Sequence, residues 1–342
     1  RLAVECARAS LAEDRQLEEG QGALYIGIPF CPTRCAYCSF VSQSVERTLG
    51  LVEPYLEGLH REITDAARMV QETGLHIKSF YMGGGTPTTL STDQMDRLLT
   101  HLNRSFDLSG CAEYCIEAGR PDTITAEKLA VLRTHGVTRV SVNPQTFEEN
   151  VLRAIGRCHT AADNDRAMEL VARCGFPHVN MDLIAGLPGD TPDGFRATLE
   201  QVLALAPENI TVHTLSRKRG SNLMAQDAPI PDGAAVGEML DFAGTVLPRA
   251  GYAPYYLYRQ KFMSGGFENV GWTRPGQENL YNICIMEELC SILAMGGGAS
   301  TKLVRPNGGR LERHIDPKYP TEYIANIDRI CAAKAELEAF FQ

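Results

Sequence analysis

What the chain lacks narrows the possibilities first. No apolar run approaches the roughly 18 residues that a membrane span requires, so no spanning helix is expected. Basic residues are in deficit, with 33 Lys and Arg against 42 Asp and Glu, a net charge of −9 and a pI of about 5.5. A nucleic-acid surface is not expected on such a chain. There is no signal peptide, and the chain opens Arg1-Leu2-Ala3 without an initiator Met, so a preceding region is expected. No G-x-G-x-x-G turn follows the first predicted strand and no GxxxxGK[ST] loop occurs, which removes two common phosphate cradles. Eleven cysteines scattered over 342 residues do not make a disulfide framework. Free thiols instead point to a reducing, cytoplasmic setting. Eight of them (Cys6, Cys111, Cys115, Cys158, Cys174, Cys284, Cys290 and Cys331) read as small core or surface residues.

The other three cysteines carry chemistry. Tyr25-Ile-Gly-Ile-Pro-Phe-Cys-Pro-Thr-Arg-Cys-Ala-Tyr-Cys-Ser-Phe40 places Cys31, Cys35 and Cys38 in a C-x3-C-x2-C spacing behind a short apolar strand, Ala23 to Ile28, that Pro29 ends. Three thiolates this close can hold three corners of an iron–sulfur cube, because soft sulfur ligands suit such clusters. The fourth iron is then open to a small molecule. A structural zinc site normally presents two C-x2-C pairs or a matching His pair, and only one pair is present. The cluster is the preferred reading.

Along the chain, strands and helices alternate. Strands are predicted at Ile77 to Met82, Tyr114 to Ala118, Thr138 to Asn143, His178 to Ile184 and Ile210 to Leu215, after the one before the cysteines. Helices are predicted at Val52 to Val70, Met95 to Phe106 behind a Ser91–Gln94 capping box, Ala126 to His135, Glu148 to Ile155, Ala161 to Cys174, Thr191-Pro192 to Leu205, and Ala235 to Ala250. Six strand-then-helix units imply a parallel sheet with helices outside. Thr86, Glu117, Asn143 with Gln145, Asp182, and His213 with Thr214 fall at the C-terminal ends of successive strands, the rim where β/α barrels do chemistry. Six units are too few for a closed eight-fold barrel, so the expected fold is a partial, laterally open α/β barrel with a C-terminal α+β extension. Residues 1–22 read as a linker, 23–250 as the core and 251–342 as a region covering the barrel mouth. Glu322 to Phe341 reads as one amphipathic helix.

C-x3-C-x2-C with Tyr37 before the last Cys resembles the radical S-adenosylmethionine (SAM) enzymes. The wider stretch is similar to their oxygen-independent coproporphyrinogen III oxidase branch, and within it to the coproporphyrinogen dehydrogenase subgroup, over about Ala23 to Val304. The resemblance implies a (β/α)6 barrel and a 4Fe–4S cluster held by Cys31, Cys35 and Cys38, with SAM on the open iron. It implies SAM contacts from Tyr25, the Gly83-Gly84-Gly85-Thr86 turn and Glu117. It also implies a second SAM beside the first, through Tyr37, Gly85, Thr86, Gln145, Arg157 and Asp182, with Thr214 and Ser300 completing the cofactor-binding set. The implied reaction is oxidative decarboxylation of two propionates of coproporphyrinogen III to vinyl groups, with a flavodoxin or ferredoxin supplying electrons. Four propionates call for fixed cations. Arg217-Lys218-Arg219 is the best cluster, with Arg259 and Lys261 next. Tyr255, Tyr256 and Tyr258 offer faces for stacking on a tetrapyrrole, or core packing.

Phe40 stands where the better-known oxidases carry a fourth Cys. The related haem chaperones share that Phe, but they carry H-N-x-x-Y-W where this chain has Glu278-Asn-Leu-Tyr-Asn282. Three readings remain open: the decarboxylase, a haem carrier on the same scaffold, and a radical SAM enzyme that opens or methylates haem.

Overall fold

The computed structural model describes residues 2–38, 43–44, 48–217, 221, 223, 229–261, 263–305 and 311–341. Six parallel strands form its centre: β1 (Gln21–Ile28), β2 (His76–Gly84), β3 (Glu113–Glu117), β4 (Arg139–Ser141), β5 (His178–Ala185) and β6 (Asn209–Thr214). They pair in chain order. Helices α2 (Val52–Thr73), α3 (Thr92–Ser105), α4 (Ala126–Thr134), α5 (Glu149–Ala154) with α6 (Ala161–Cys174), and α7 (Pro192–Leu205) connect them, and α8 (Gly233–Arg249) follows β6.

The alternation along each strand decides what faces where. Leu24, Ile26, Phe80, Met82, Ile116, Met181, Leu183, Ile210 and Val212 point to the helices and share one core with Leu59, Ile63, Leu98, Leu129 and Val202. The intervening residues, Tyr25, Tyr81, Glu117, Asp182, Thr211 and His213, face the concave side and line a cavity. A strand buried on its helix side and polar on the other is what a barrel with an occupied interior requires.

The helix starts are locally encoded. Ser91 Oγ accepts from Gln94 N at 3.2 Å while Gln94 Oε1 accepts from Ser91 N at 2.9 Å, the reciprocal cap the sequence predicts. Thr191 caps α7 ahead of Pro192. Helix α2 stops at Gly74, whose φ of +67° lies in the left-handed region.

The barrel does not close. Beyond β1 lies β9 (Ser291–Gly296), parallel to it, then β10 (Ser300–Val304) and β11 (Leu311–Ile315), both antiparallel. Beyond β6 lie β8 (Asn269–Thr273) and β7 (Ala253–Tyr258), also antiparallel. The result is one eleven-stranded sheet ordered β11-β10-β9-β1-β2-β3-β4-β5-β6-β8-β7. The residues after 250 therefore extend both edges of the core sheet.

Two local expectations are corrected. Residues 1–22 are not only a linker, since Leu2–Asp14 is a helix, α1, packed on β7 and on α9 (Leu280–Glu287). The terminal helix is three pieces, Pro320–Ala325 (α10), Ile327–Glu336 (α11) and Glu338–Phe341 (α12), interrupted at Asn326, whose backbone leaves the helical region, and at Leu337.

The open bottom of the barrel is sealed from inside. Buried Arg139 donates to the carbonyls of Gln277 and Glu278, both at 3.1 Å, and to Asn209 Oδ1. Glu113 accepts from Leu280 N at 2.5 Å. These bonds pin the segment before α9 across the N-terminal strand ends, so that Tyr281 and Asn282 project upward into the cavity wall.

Candidate functional site

The cysteine loop is clamped at its root. Gly85 N donates to Ile28 O and Thr86 N to Phe30 O, each at 2.8 Å. A Cβ on Gly85 would lie 2.6 Å from Phe30 O and 2.7 Å from Ile28 O, so this glycine is needed for chain-on-chain packing. Gly84, at φ +101°, needs glycine for its backbone conformation and lies on the cavity wall. Thr86 Oγ1 sits 3.3 Å from Cys31 Sγ. On the other side, Ala36 N donates to Ile155 O at 2.9 Å and Thr33 Oγ1 to Gly156 O at 3.1 Å.

Cys35 is surrounded by positive charge. Buried Arg120 donates to its Sγ at 3.8 Å while pairing with Asp122 at 3.0 Å. Burial pushes the thiol up, but Arg157, Arg120 and Tyr37 beside it outweigh burial and hold it below the ordinary cysteine value. Arg157 is itself fixed, donating to Asn143 O at 2.5 Å and to Tyr37 Oη at 3.2 Å.

All these groups open on one cavity of about 510 Å³ at the C-terminal strand ends. Tyr25, Tyr37, Gly84, Gly85, Thr86, Glu117, Gln145, Arg157, Asp182, Thr214 and Ser300 all lie on its wall together with the three cysteines. The structure thus gathers these eleven positions and the three cysteines around one space. Gln145 is held in the left-handed region at φ +69°, a strained conformation for a side chain with a Cβ. Bonds to strand β5 enforce it: Gln145 N donates to Asp182 O at 3.0 Å and Ile184 N to Gln145 O at 3.1 Å. Gln145 Oε1, Asn143 Oδ1 and Arg157 Nε are buried without a hydrogen-bond partner among the described residues. Three such atoms on one wall are costly unless a polar ligand meets them.

Two carboxylates face each other across this space with opposite shifts. Burial pushes Glu117 up to about 7, with Asp182 adding to the rise and the Tyr81 hydroxyl, donating at 2.5 Å, opposing it. Asp182 is also raised by burial, but His213 at 3.6 Å, Asn180 donating at 2.8 Å and Thr211 bring it net below the ordinary carboxylate value. Asp182 is the ionised partner. Thr214 is tied to the sheet edge, its N donating to Asn269 Oδ1 at 2.7 Å and its Oγ1 to Glu268 O at 3.1 Å.

Sequence reasoning missed Arg120, Tyr81 and Tyr281. Arg120 was within reach of it, three residues past Glu117 at a strand end. Tyr281 stacks on Tyr81 at 4.6 Å and on Tyr25 at 6.1 Å between ring centroids, a contact that no local pattern signals. Of the expected cations, the described ones, Arg217, Arg259 and Lys261, do not line the cavity. Lys218 and Arg219 lie outside the described residues, Arg259 pairs with Glu268, and neither Arg259 nor Lys261 reaches the cavity wall. Tyr256 and Tyr258 do line the cavity, and Tyr255 is buried behind them against α9. Phe40 lies outside the described residues.

The chain is similar to known proteins over most of its length. Residues 25–202 match the Radical SAM superfamily, and the chain belongs to it. It is 41% identical over 324 residues to the oxygen-independent coproporphyrinogen-III oxidase-like protein HemZ of Bacillus subtilis (strain 168), covering 94% of this chain and 65% of that protein. The chain thus spans just under two thirds of that relative. It is 28% identical over 308 residues to the haem chaperone HemW of Haemophilus influenzae, covering 88% of this chain and 75% of that protein. The solved structure of the coproporphyrinogen III oxidase HemN from Escherichia coli, a radical SAM enzyme, superposes with a TM-score of 0.71 at 25% identity, over 94% of this chain and 72% of that one.

Membership of the superfamily implies a 4Fe–4S cluster and SAM, and the residues fit both. A cube takes each thiolate on its own iron, and Cys31, Cys35 and Cys38 all line the one cavity. The orphaned polar atoms beside them suit a polar cofactor. Among the described residues, no helix is long and apolar enough to cross a membrane.

Proposed function

We propose that the protein carries out oxidative decarboxylation of the propionates of coproporphyrinogen III to vinyl groups, in the pathway to haem. The observation that carries this reading is one cavity in which the cysteine loop, a wall of unpartnered polar atoms and a set of tyrosine faces meet. The HemZ and HemN likenesses support the substrate class.

When bound, the reduced cluster with SAM supplies the one-electron chemistry for removing a hydrogen atom from the propionate β-carbon. The chain's residues do the rest. Cys31, Cys35 and Cys38 are the cluster ligands, and Arg120 with Arg157 favours the thiolate form of Cys35 that ligation needs. Gly84, Gly85, Thr86, Glu117 and Tyr25 form the wall for the first SAM. Gln145, Asn143 and Arg157 present hydrogen-bonding atoms to a second SAM, with ionised Asp182 available to its ammonium group and Tyr37 bracing Arg157. Thr214 and Ser300 bound the same space from the two sheet edges. Tyr25, Tyr81, Tyr256, Tyr258 and Tyr281 offer flat apolar faces to a tetrapyrrole. The plug before α9 keeps water from entering through the barrel bottom, which strengthens every polar contact inside. A flavodoxin or ferredoxin is the electron donor in this reading.

A haem carrier on the same scaffold is the second reading, favoured by the HemW likeness. Anaerobic reconstitution with iron and sulfide, followed by SAM, a reductant and coproporphyrinogen III, separates the two. Loss of CO2 and two hydrogens from each converted propionate, one hydrogen taken as an atom and the remaining electron passing to an acceptor, is the expected result. Stoichiometric haem binding with no decarboxylation overturns the proposal.

A further inference from the structure

Arg120 is a charged side chain almost wholly buried against the cysteine loop. Burying a guanidinium is costly unless its N–H groups find partners, and here each edge of the fork has its own. Nε and Nη2 donate to the two oxygens of Asp122 at 3.0 and 3.1 Å. Nη1 donates to Thr33 Oγ1 at 3.0 Å and to Cys35 Sγ at 3.8 Å. One edge of the plane therefore meets a carboxylate and the other meets a cysteine. The backbone is fixed as well. Arg120 N donates to Ala118 O at 2.6 Å, and Arg120 O accepts from Thr123 N at 2.9 Å and from Thr123 Oγ1 at 2.7 Å. The guanidinium is aimed at the sulfur by bonds on every side.

The neighbouring charges leave this pair to itself. Arg157 and Tyr37 also reach the Cys35 sulfur, from the cavity wall. His159 lies 3.9 Å from Asp122 Oδ1, its side chain fully buried and both ring nitrogens without a hydrogen-bond partner among the described residues. Burial, then Arg157 and Arg120, push it down to about 4 against the pull of Asp122 and Asp163. The imidazole is thus neutral near pH 7 and does not compete for the Asp122 charge. Asp163 is engaged elsewhere, accepting from Thr160 N at 2.7 Å and pairing with Arg166. The Arg120–Asp122 pair is close to neutral as a whole, yet its positive end points at Cys35.

Hydrogen bonds to the ligand sulfurs and the local charge are among the levers that set the potential of an iron–sulfur cluster. Reduction adds one negative charge to the cluster and its thiolates, so an N–H directed at one of those sulfurs favours the reduced form. We infer that Arg120, oriented by Asp122, is a positioning residue that raises the reduction potential of the cluster through Cys35. This rests on the reading that Cys31, Cys35 and Cys38 hold a cluster. The step it biases is the uptake of one electron from a reductant, with no bond made or broken at Arg120. Asp122 has two opposed effects. It holds the fork in place, and by cancelling most of the guanidinium charge it limits the rise.

The test uses anaerobically reconstituted holoprotein without SAM, as wild type, Arg120→Gln, Asp122→Asn and the double variant. Each is titrated with dithionite in the presence of redox mediators, and bleaching of the visible absorbance reports the reduced fraction. At one fixed potential Arg120→Gln is expected to show a ratio of reduced to oxidised cluster about tenfold below the wild type, a midpoint about 59 mV lower for one electron. Asp122→Asn leaves the guanidinium charge uncancelled and is expected to move the midpoint upward. The double variant loses the ion pair together with the N–H at Cys35 and is expected below the wild type. Iron content and far-ultraviolet dichroism should match the wild type throughout. Unchanged midpoints overturn the inference, as do shifts of one sign in both single variants, which is what a merely loosened loop would give. Where Arg120→Gln assembles no cluster, Asp122→Asn decides: an upward shift supports the inference, and an unchanged or lowered midpoint overturns it. A wild type that holds no iron, or does not bleach with dithionite, overturns the cluster reading instead.

Discussion

Two buried polar clusters in this molecule differ in how far they satisfy themselves. Behind β1, Lys334 of α11 lies 3.1 Å from both Glu62 and Asp316 and donates to Ala294 O at 2.6 Å. Glu62 also accepts from Gly296 N at 3.0 Å and from Tyr323, and Tyr55 bridges Gly27 O and Gly297 N at 2.5 and 2.7 Å. Charges are paired there, since Glu62 Oε1, which has no hydrogen-bond partner, still meets the Lys334 ammonium as an ion pair, and the whole ties the C-terminal helix to α2 and to the turn ending β9. At the cavity, Asn143, Gln145 and Arg157 each keep a buried atom unmatched. A polar cluster that closes on itself is an anchor. One that leaves its valences pointing at a void is prepared for a ligand. Burial alone does not separate the two, since both are shielded from bulk water.

The comparison can be broken most severely at the cysteines. Cys35→Ala should abolish cluster assembly, read as loss of bound iron and of the visible absorbance, while the far-ultraviolet dichroism stays native. Next comes the anchor. Lys334→Met strands two buried carboxylates and should cost about 3–5 kcal/mol in urea unfolding, and adding Glu62→Gln should restore part of it. At the cavity the opposite sign is expected. Gln145→Gly removes a side chain from a left-handed position and should leave stability unchanged or raise it by about 1 kcal/mol, while weakening SAM binding measured by calorimetry on the reconstituted protein. Loss of stability comparable to that of the anchor variant would remove the distinction.

The smallest effect is a pH dependence. Folding raises Glu117 from about 4.5 to about 7, chiefly by burial. A carboxyl raised on folding contributes stability below its unfolded value, and that contribution is lost as the pH climbs through the folded value. Glu117→Gln should therefore melt like the wild type near pH 4 and above it near pH 8. Asp316, also raised to about 7 by burial against the pull of Lys334, titrates in both proteins and cancels in the difference.

The strand ends were legible because parallel strands are short apolar runs and their last residues stand out. Asp182 and Glu117 break such runs, so rim positions follow from local contrast. The Ser91 and Thr191 caps were legible because a cap is decided by neighbours a few residues apart. Helix α1 was not, because its apolar residues gather on no one face and its order comes from docking on β7. Arg259 and Lys261 were misplaced for a related reason. A cation after a strand says nothing about direction, and Glu268 draws Arg259 to the surface.

The sequence by itself determined the three-thiol loop, the parallel core and the positions that crown it, since each depends on spacing within a few residues and on the period of a strand. Tertiary structure decided the rest. The strained Gln145, the stacked Tyr25, Tyr81 and Tyr281, the plug under Arg139 and the arginines around Cys35 join residues that are far apart in the chain. Their energies come from contacts that exist only after the sheet has curved, and no local pattern carries them.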